Sequence, residues 1–284
     1  MFCESAVSVS ADPGVELFVA ETPVPAGNAL LVIHGGPDWD HTYLREPLGR
    51  LAGRHRGILP DLRGCGRSSL GLADSQYTPV AAADDLAALL DALGIGQADV
   101  LGFSYGGLIA QQLTLAAPGR VRRLVIASSS ILPVPPDAFD GWHERTRRRA
   151  AAAAVWSDPT LSGPELTRAA AIASAHADIW RPQALPGYLD RLAGVHFTAE
   201  WLRPFRAGTL PDARPRNAAR RLAALGLPTL LLHGRQDMTF PARLAEDAAE
   251  LIPSAHAAVI EEAGHMTHVD QPGAWLDALT DFLS

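Results

Sequence analysis

The chain has 284 residues, 48 % of them hydrophobic, with a formal net charge of −7 and a pI near 5.8. That length buries one large core plus an inserted subdomain, and the acidic balance argues against a nucleic-acid binder, which needs a basic field. All 24 basic residues are arginine, which excludes Schiff-base chemistry through a lysine and a P-loop mechanism. The two cysteines, Cys3 and Cys65, form neither a disulfide framework nor a metal-ligand cluster. Cys65, between two glycines, reads as a small buried filler rather than a nucleophile. No signal-peptide pattern opens the chain and no apolar run approaches about 18 residues, so a soluble cytoplasmic protein is expected.

Taken in order, Ser5 to Ser10 and Val15 to Glu21 flank Asp12-Pro13-Gly14 and predict an opening β-hairpin. Ala29 to Ile33 is a continuous apolar run bounded by His34-Gly35-Gly36-Pro37, as for a strand buried on both faces. Tyr43 to Arg54 predicts a surface helix, and Gly57 to Pro60 a short strand ending at Asp61. A glycine-rich loop follows, Asp61 to Ser69. Thr78-Pro79 is a helix start, threonine as cap and proline at the first helical position. Its apolar stripe is Leu86, Leu89, Leu90 and Leu93, with Asp84, Asp85 and Asp91 expected mostly outside it.

The sequence then reads Ala98-Asp-Val-Leu-Gly-Phe-Ser-Tyr-Gly-Gly107: a buried strand, a sharp turn at Ser104, and a helix from Leu108 to Ala117. A serine at such a junction is lifted clear of the sheet and set at a helix N-terminus, where amides stabilise negative charge. A helix N-cap serine would show the same local pattern, so the rest of the chain has to decide. Val121 to Ala127 is a further strand.

Beyond Ser130 the strand–helix alternation breaks. Residues 131–216 are rich in Pro, Trp, Ala and Arg, with helices expected over Phe139–Trp156, Gly163–Ala177 and Pro186–His196. We read this stretch as a helical cap inserted into a core made of residues 1–130 and 217–284. The alternation resumes with a strand over Pro228–His233, a helix over Pro241–Ile252, a strand over Ala257–Ile260 and a last helix over Gly273–Leu283.

A serine hydroxyl is a poor nucleophile unless a base takes its proton and an acid orients that base. Asp237 and His265 each fall in the loop after a strand, and strand carboxyl ends share one edge of a doubly wound sheet. Ser104, Asp237 and His265 thus follow the order Ser…Asp…His on one rim. Asp270 and Glu261 compete with Asp237, and His268 competes with His265; His34 and His233 read as buried structural residues. His265 and His268 have no carboxylate or cysteine cluster beside them to support a metal. The amides of Tyr105 and Gly36 are the candidate oxyanion donors.

With these motifs in register the chain resembles the α/β-hydrolase superfamily across almost its whole length. They are His34-Gly-Gly-Pro37, Asp61-Leu-Arg-Gly-Cys-Gly-Arg-Ser68, Gly102-Phe-Ser-Tyr-Gly-Gly107, Gly234-Arg-Gln-Asp237 and Gly264-His265. The resemblance implies an α/β fold: an eight-stranded, mostly parallel sheet with helices on both faces and a helical cap after the sixth strand. It is similar to proline iminopeptidases, except that Asp38 stands where those enzymes usually carry glycine and Leu62 where glutamine is frequent. Haloalkane dehalogenases and epoxide hydrolases, which use an aspartate nucleophile, are disfavoured by Ser104.

An aminopeptidase needs cap carboxylates for the substrate ammonium, for which Glu144, Glu165, Asp178, Asp190 and Glu200 are available. Trp39, Trp142, Trp156, Trp180, Trp201 and Tyr188 are instead candidates for an apolar site accepting a flat or aromatic substrate. They would equally serve as packing between cap and core. Ester hydrolysis of a small molecule, including methyl esters of natural-product intermediates, ranks first. An aminopeptidase with the same triad is the alternative, and a non-catalytic receptor on the same fold stands third. No metal, nucleotide, flavin or other cofactor is implied, nor a nucleic-acid or membrane partner; the expected partner is a small-molecule substrate, and the oligomeric state stays open.

Overall fold

A computed structural model describes residues 2–23 and 28–284. Eight strands form one sheet: β1 (Cys3–Ala11), β2 (Gly14–Glu21), β3 (Asn28–Ile33), β4 (His55–Pro60), β5 (Ala98–Phe103), β6 (Val121–Ala127), β7 (Thr229–Gly234) and β8 (Ala255–Ile260). The order is β1-β2-β4-β3-β5-β6-β7-β8. β2 runs antiparallel to β1 and β4, and every other pairing is parallel. Strands β3, β5 and β7 are buried almost throughout, because helices cover both faces of the sheet.

The helices are α1 (Arg45–Leu48), α2 (Pro79–Ala92), α3 (Tyr105–Ala116), α4 (His143–Trp156), α5 (Gly163–Asp178), α6 (Leu185–Ala193), α7 (Leu202–Arg206), α8 (Ala218–Leu225), α9 (Arg243–Leu251), α10 (Thr267–Asp270) and α11 (Pro272–Leu283). Thr78 caps α2 as its sequence predicts, its hydroxyl accepting from Ala81 N at 3.1 Å. Residues 131–216 carry α4 to α7, and among the described residues they carry no strand. No described helix is long and apolar enough to cross a membrane.

Two expectations fail for identifiable reasons. The single helix over Tyr43–Arg54 is a series of one-turn pieces, broken at Glu46 (φ −105°, ψ 127°). Pro47 causes the break, since the residue before proline is pushed out of the helical region. Tyr43 and Leu44 are core residues rather than surface ones. Asp85 is also not on the exposed face of α2. It is buried and pairs twice at 2.6 Å with the buried Arg63 of the glycine-rich loop.

Removing one member of a buried pair leaves the other charge uncompensated. Asp85→Ala is therefore expected to cost about 3–5 kcal/mol, read as a fall in the midpoint of urea unfolding.

Candidate active site

Ser104 sits between β5 and α3 with φ 53° and ψ −121°, a conformation that side chains rarely adopt. The turn holds because α3 lies directly against the end of β3. A Cβ on Gly106 would stand 2.3 Å from the carbonyl oxygens of both Ile33 and His34. Only glycine permits that approach, and the approach fixes where the Ser104 hydroxyl points.

The structure brings the three expected residues together. His265 Nε2 lies 3.0 Å from Ser104 Oγ, and His265 Nδ1 lies 2.9 Å from Asp237 Oδ2. Asp237 is fully enclosed; its Oδ1 accepts from the amides of Thr239 (2.7 Å) and Phe240 (2.9 Å). Burial alone would raise its pKa, but His265 and His233 more than offset this and hold it well below the usual carboxylate range. An ionised Asp237 only accepts, so His265 carries its proton on Nδ1 and turns a bare Nε2 toward the serine hydroxyl. Burial pushes the His265 pKa down; Asp237 outweighs it, Asp178 acts in the same direction, and the net shift is upward.

The competing residues are otherwise engaged. Asp270 accepts from the amides of Gly264 (2.8 Å), Trp180 (2.8 Å) and Arg181 (2.9 Å). Glu261 pairs with Arg235 on the surface. His268 is buried against Tyr43, Phe103 and Trp275, both ring nitrogens unpartnered, and burial drops its pKa to about 3. His34 accepts from Leu62 N at 3.0 Å, and Cys65 is buried with its thiol pKa pushed up. His233 adds a role its sequence position does not suggest: its Nε2 donates to the Phe240 carbonyl (2.8 Å) and lies 3.1 Å from Asp237 Oδ2.

Gly36 has φ +119° and lines the same cavity as Tyr105, the first residue of α3. A first-turn amide has no acceptor within its own helix, so the Tyr105 N–H is free to meet a negative oxygen. The loop bearing Gly36 is pinned by Asp38. Asp38 is buried, and accepts from Thr198 Oγ1 (3.1 Å) and from the amides of Trp201 (2.9 Å) and Leu202 (2.9 Å). Burial raises its pKa despite these donors. The aspartate that departs from the iminopeptidase pattern thus ties the Gly36 loop to the helical segment.

That segment also grips the Asp237 and His265 loops. From α4, Arg145 and Arg149 donate to the Met238 carbonyl at 2.9 and 3.1 Å. At the end of α5, the Asp178 carbonyl accepts from Met266 N at 2.9 Å.

A cavity of about 1050 Å3 opens between the sheet edge and the helical segment. Trp39, Trp156 and Trp201 line it. Trp142, Trp180 and Tyr188, expected there from sequence, do not. Trp142 packs on Phe139 at the start of α4, and Trp180 lies under the Arg148 guanidinium. Tyr188 is wholly buried on α6. Even Trp201 is partly structural, its Nε1 donating to the Arg63 carbonyl at 2.7 Å. Asp178 lines the cavity too, its carboxyl without a hydrogen-bond partner among the described residues and its pKa raised by burial to about 6. No described group of three or more His, Cys, Asp or Glu side chains is placed to hold a metal.

Asp38→Ala would strand the two buried amides of Trp201 and Leu202, each costing about 1–3 kcal/mol when unsatisfied, whereas the Thr198 hydroxyl keeps the Gly64 carbonyl at 2.6 Å. Because such losses do not add fully, at least about 2 kcal/mol of stability should go, measured by urea unfolding. Faster proteolysis within residues 198–202 should accompany it.

The chain matches the family model described as the alpha/beta hydrolase fold over residues 28–272. It is 31 % identical over 274 residues to a 2-hydroxymuconate semialdehyde hydrolase of Pseudomonas sp. strain CF600, spanning 91 % of this chain and 88 % of that one. Among solved structures it resembles a thermophilic esterase from Thermogutta terrifontis (26 % identity, TM-score 0.69, 99 % and 98 % of the two chains). A proline iminopeptidase-related protein from Thermus thermophilus shares the fold (24 % identity, TM-score 0.74, 100 % and 97 %). With its sheet order and loop placement, this chain belongs to the α/β-hydrolase family.

Proposed function

We propose that the protein is a serine hydrolase that cleaves a carboxylic ester of an apolar or aromatic small molecule through an acyl-enzyme on Ser104. The observation that carries this reading is the hydrogen-bond chain from Asp237 through His265 to Ser104. Ser104 Oγ attacks the carbonyl carbon as its proton passes to His265 Nε2, and Asp237 stabilises the imidazolium so formed. The amides of Gly36 and Tyr105 receive the oxyanion. His265 returns the proton to the leaving alkoxide, and a water activated by the same imidazole releases the acid. Residues 131–216 serve as the cap, and a largely apolar cavity of about 1050 Å3 favours a small-molecule substrate over a polymer.

The aminopeptidase alternative wants paired free carboxylates near the scissile bond. Glu144 is bound by Arg148 at 2.6 Å, Glu200 accepts from Gly71 N and Arg203, and Glu165 and Asp190 are exposed. Asp38 is saturated by its donors, and Asp212 is exposed, which leaves Asp178 as the one buried, unpartnered carboxyl on the cavity wall among the described residues. The 31 % identical relative favours a second substrate class, a 2-hydroxymuconate semialdehyde, handled by the same residues.

The test compares nitrophenyl acetate, an aryl methyl ester, proline nitroanilide and 2-hydroxymuconate semialdehyde, wild type against Ser104→Ala. Ester turnover that vanishes in a folded Ser104→Ala supports the reading; normal turnover in that variant overturns it. Asp237→Asn should cost about four orders of magnitude in kcat, because the imidazole loses the required tautomer.

His265 must be neutral to act as base, so kcat/KM rises with pH through its pKa. That acid limb should lie above the ordinary imidazole value of about 6.5, since Asp237 and Asp178 both hold the pKa up. Asp178→Asn removes one of these carboxylates and should move the limb to lower pH.

A further inference from the structure

The wall of the cavity contributed by residues 212–220 differs from the rest. Arg214, Arg216 and Arg220 all line it, while the remainder is mainly Leu108, Ile131, Trp156 and Phe205 with their apolar neighbours, and the acids on the wall are Asp38, Asp178 and Asp212. Arg216 and Arg220 reach solvent, but Arg214 is half-buried. Its Nε makes one long contact, 3.4 Å, to the Ser130 carbonyl. Its Nη1 and Nη2 meet no protein acceptor, and it has no carboxylate partner within 4 Å, among the described residues. Burial depresses the Arg214 pKa, opposed by the charge of the exposed Asp212. A guanidinium is always charged and presents its donors in a rigid fork suited to a carboxylate. Arg214 thus brings unpaired donors to the wall of a mainly apolar space.

The position relative to the nucleophile follows from α3. The Ala213 carbonyl accepts from Gln112 Nε2 at 3.0 Å, and Leu108, between Ser104 and Gln112, lines the cavity. Gln112 lies eight residues beyond Ser104, which at the rise of an α-helix is about 12 Å along the axis. The cavity therefore runs from Gly36 and Tyr105, the residue after Ser104, to a cationic wall on the order of 10 Å away.

We infer that Arg214, flanked by Arg216 and Arg220, binds a carboxylate at the end of the substrate remote from the reacting carbonyl. The inference rests on the serine-hydrolase reading and narrows its substrate class to monoanionic acyl compounds, such as half-esters of medium-length dicarboxylic acids. An apolar midsection fits the Leu108 and Ile131 surface between the two polar ends.

The probes are monomethyl suberate, an eight-carbon diacid half-ester whose free carboxylate stands six methylenes from the ester, and methyl octanoate, its neutral counterpart. Wild type should prefer the monoanion in kcat/KM, chiefly through a lower KM. Arg214→Met should reduce that preference about 10- to 100-fold, the usual worth of a charge-assisted pair, and Arg214→Lys should restore part of it. An unchanged preference in a folded Arg214→Met overturns the inference. If Arg214→Met does not fold, the wild type decides: no preference for the monoanion, and no competitive inhibition by suberate, overturns it equally.

Calorimetry on Ser104→Ala separates the two readings. Binding of monomethyl suberate that disappears in Ser104→Ala/Arg214→Met supports the anion site even where neither ester is turned over, in which case the serine-hydrolase reading is what fails. Serine-dependent turnover of both esters with no Arg214-dependent preference leaves that reading standing and removes the anion site.

Discussion

The site depends on a steric constraint more than on any attraction. Ser104 is held at φ 53° and ψ −121°, a conformation costing about 1–3 kcal/mol that persists only where its surroundings over-determine it. Here the surroundings are strand β5 on one side and helix α3 on the other, with α3 pressed so closely on the ends of β3 and β5 that only glycine fits at Gly102 and Gly106. The close approach turns the chain sharply at Ser104, and the same turn puts the first amide of α3 beside the hydroxyl. One packing requirement thus sets both the direction of the Ser104 hydroxyl and the placing of an unpaired amide beside it.

The remaining parts arrive from separate loops, and the helical segment 131–216 touches each of them through polar contacts. Asp38 binds the Gly36 loop to residues 198–202, Arg145 and Arg149 bind the Asp237 loop to α4, and Asp270 with the Asp178 carbonyl bind the His265 loop to α5. Apolar packing is tolerant of sliding, whereas a carboxylate shared by several amides has one good geometry. Two such carboxylates, Asp38 and Asp270, together with the paired arginines on the Met238 carbonyl, set the angles at which the loops meet, which the sheet alone would leave less defined.

What the sequence made legible follows from range. The strands are continuous apolar runs between turn residues, and Thr78-Pro79 announces a helix start through neighbours in sequence, so each could be read locally. The Ser104, Asp237 and His265 positions were legible because a parallel sheet sends every strand's carboxyl end to one edge. The clamps were not. Asp38 finds its partners some 160 residues away, and Asp85 looks like any surface acid until Arg63 is brought against it. The aromatic residues misled for a related reason. An indole is equally useful as packing and as a pocket wall, and only the tertiary arrangement sends Trp180 under Arg148 and Trp39 into the cavity. The break at Glu46 was a local signal, proline at the next position, outweighed by a helix-like pattern around it.

His265 and His268 show how little residue type decides by itself. Three positions apart, both are almost completely enclosed, and desolvation presses both toward the neutral form. His268 packs against aromatic rings with no carboxylate beside it among the described residues, so that pressure wins, its pKa falls to about 3, and it stays uncharged packing across the ordinary pH range. His265 meets an ionised carboxylate that two backbone amides and His233 hold in place, so the pressure is overcome and its pKa moves upward. The amides and His233 that keep Asp237 ionised therefore also make His265 the one of the pair able to take up a proton. Anything that loosened Asp237 from the Thr239 and Phe240 amides would push His265 toward the condition of His268.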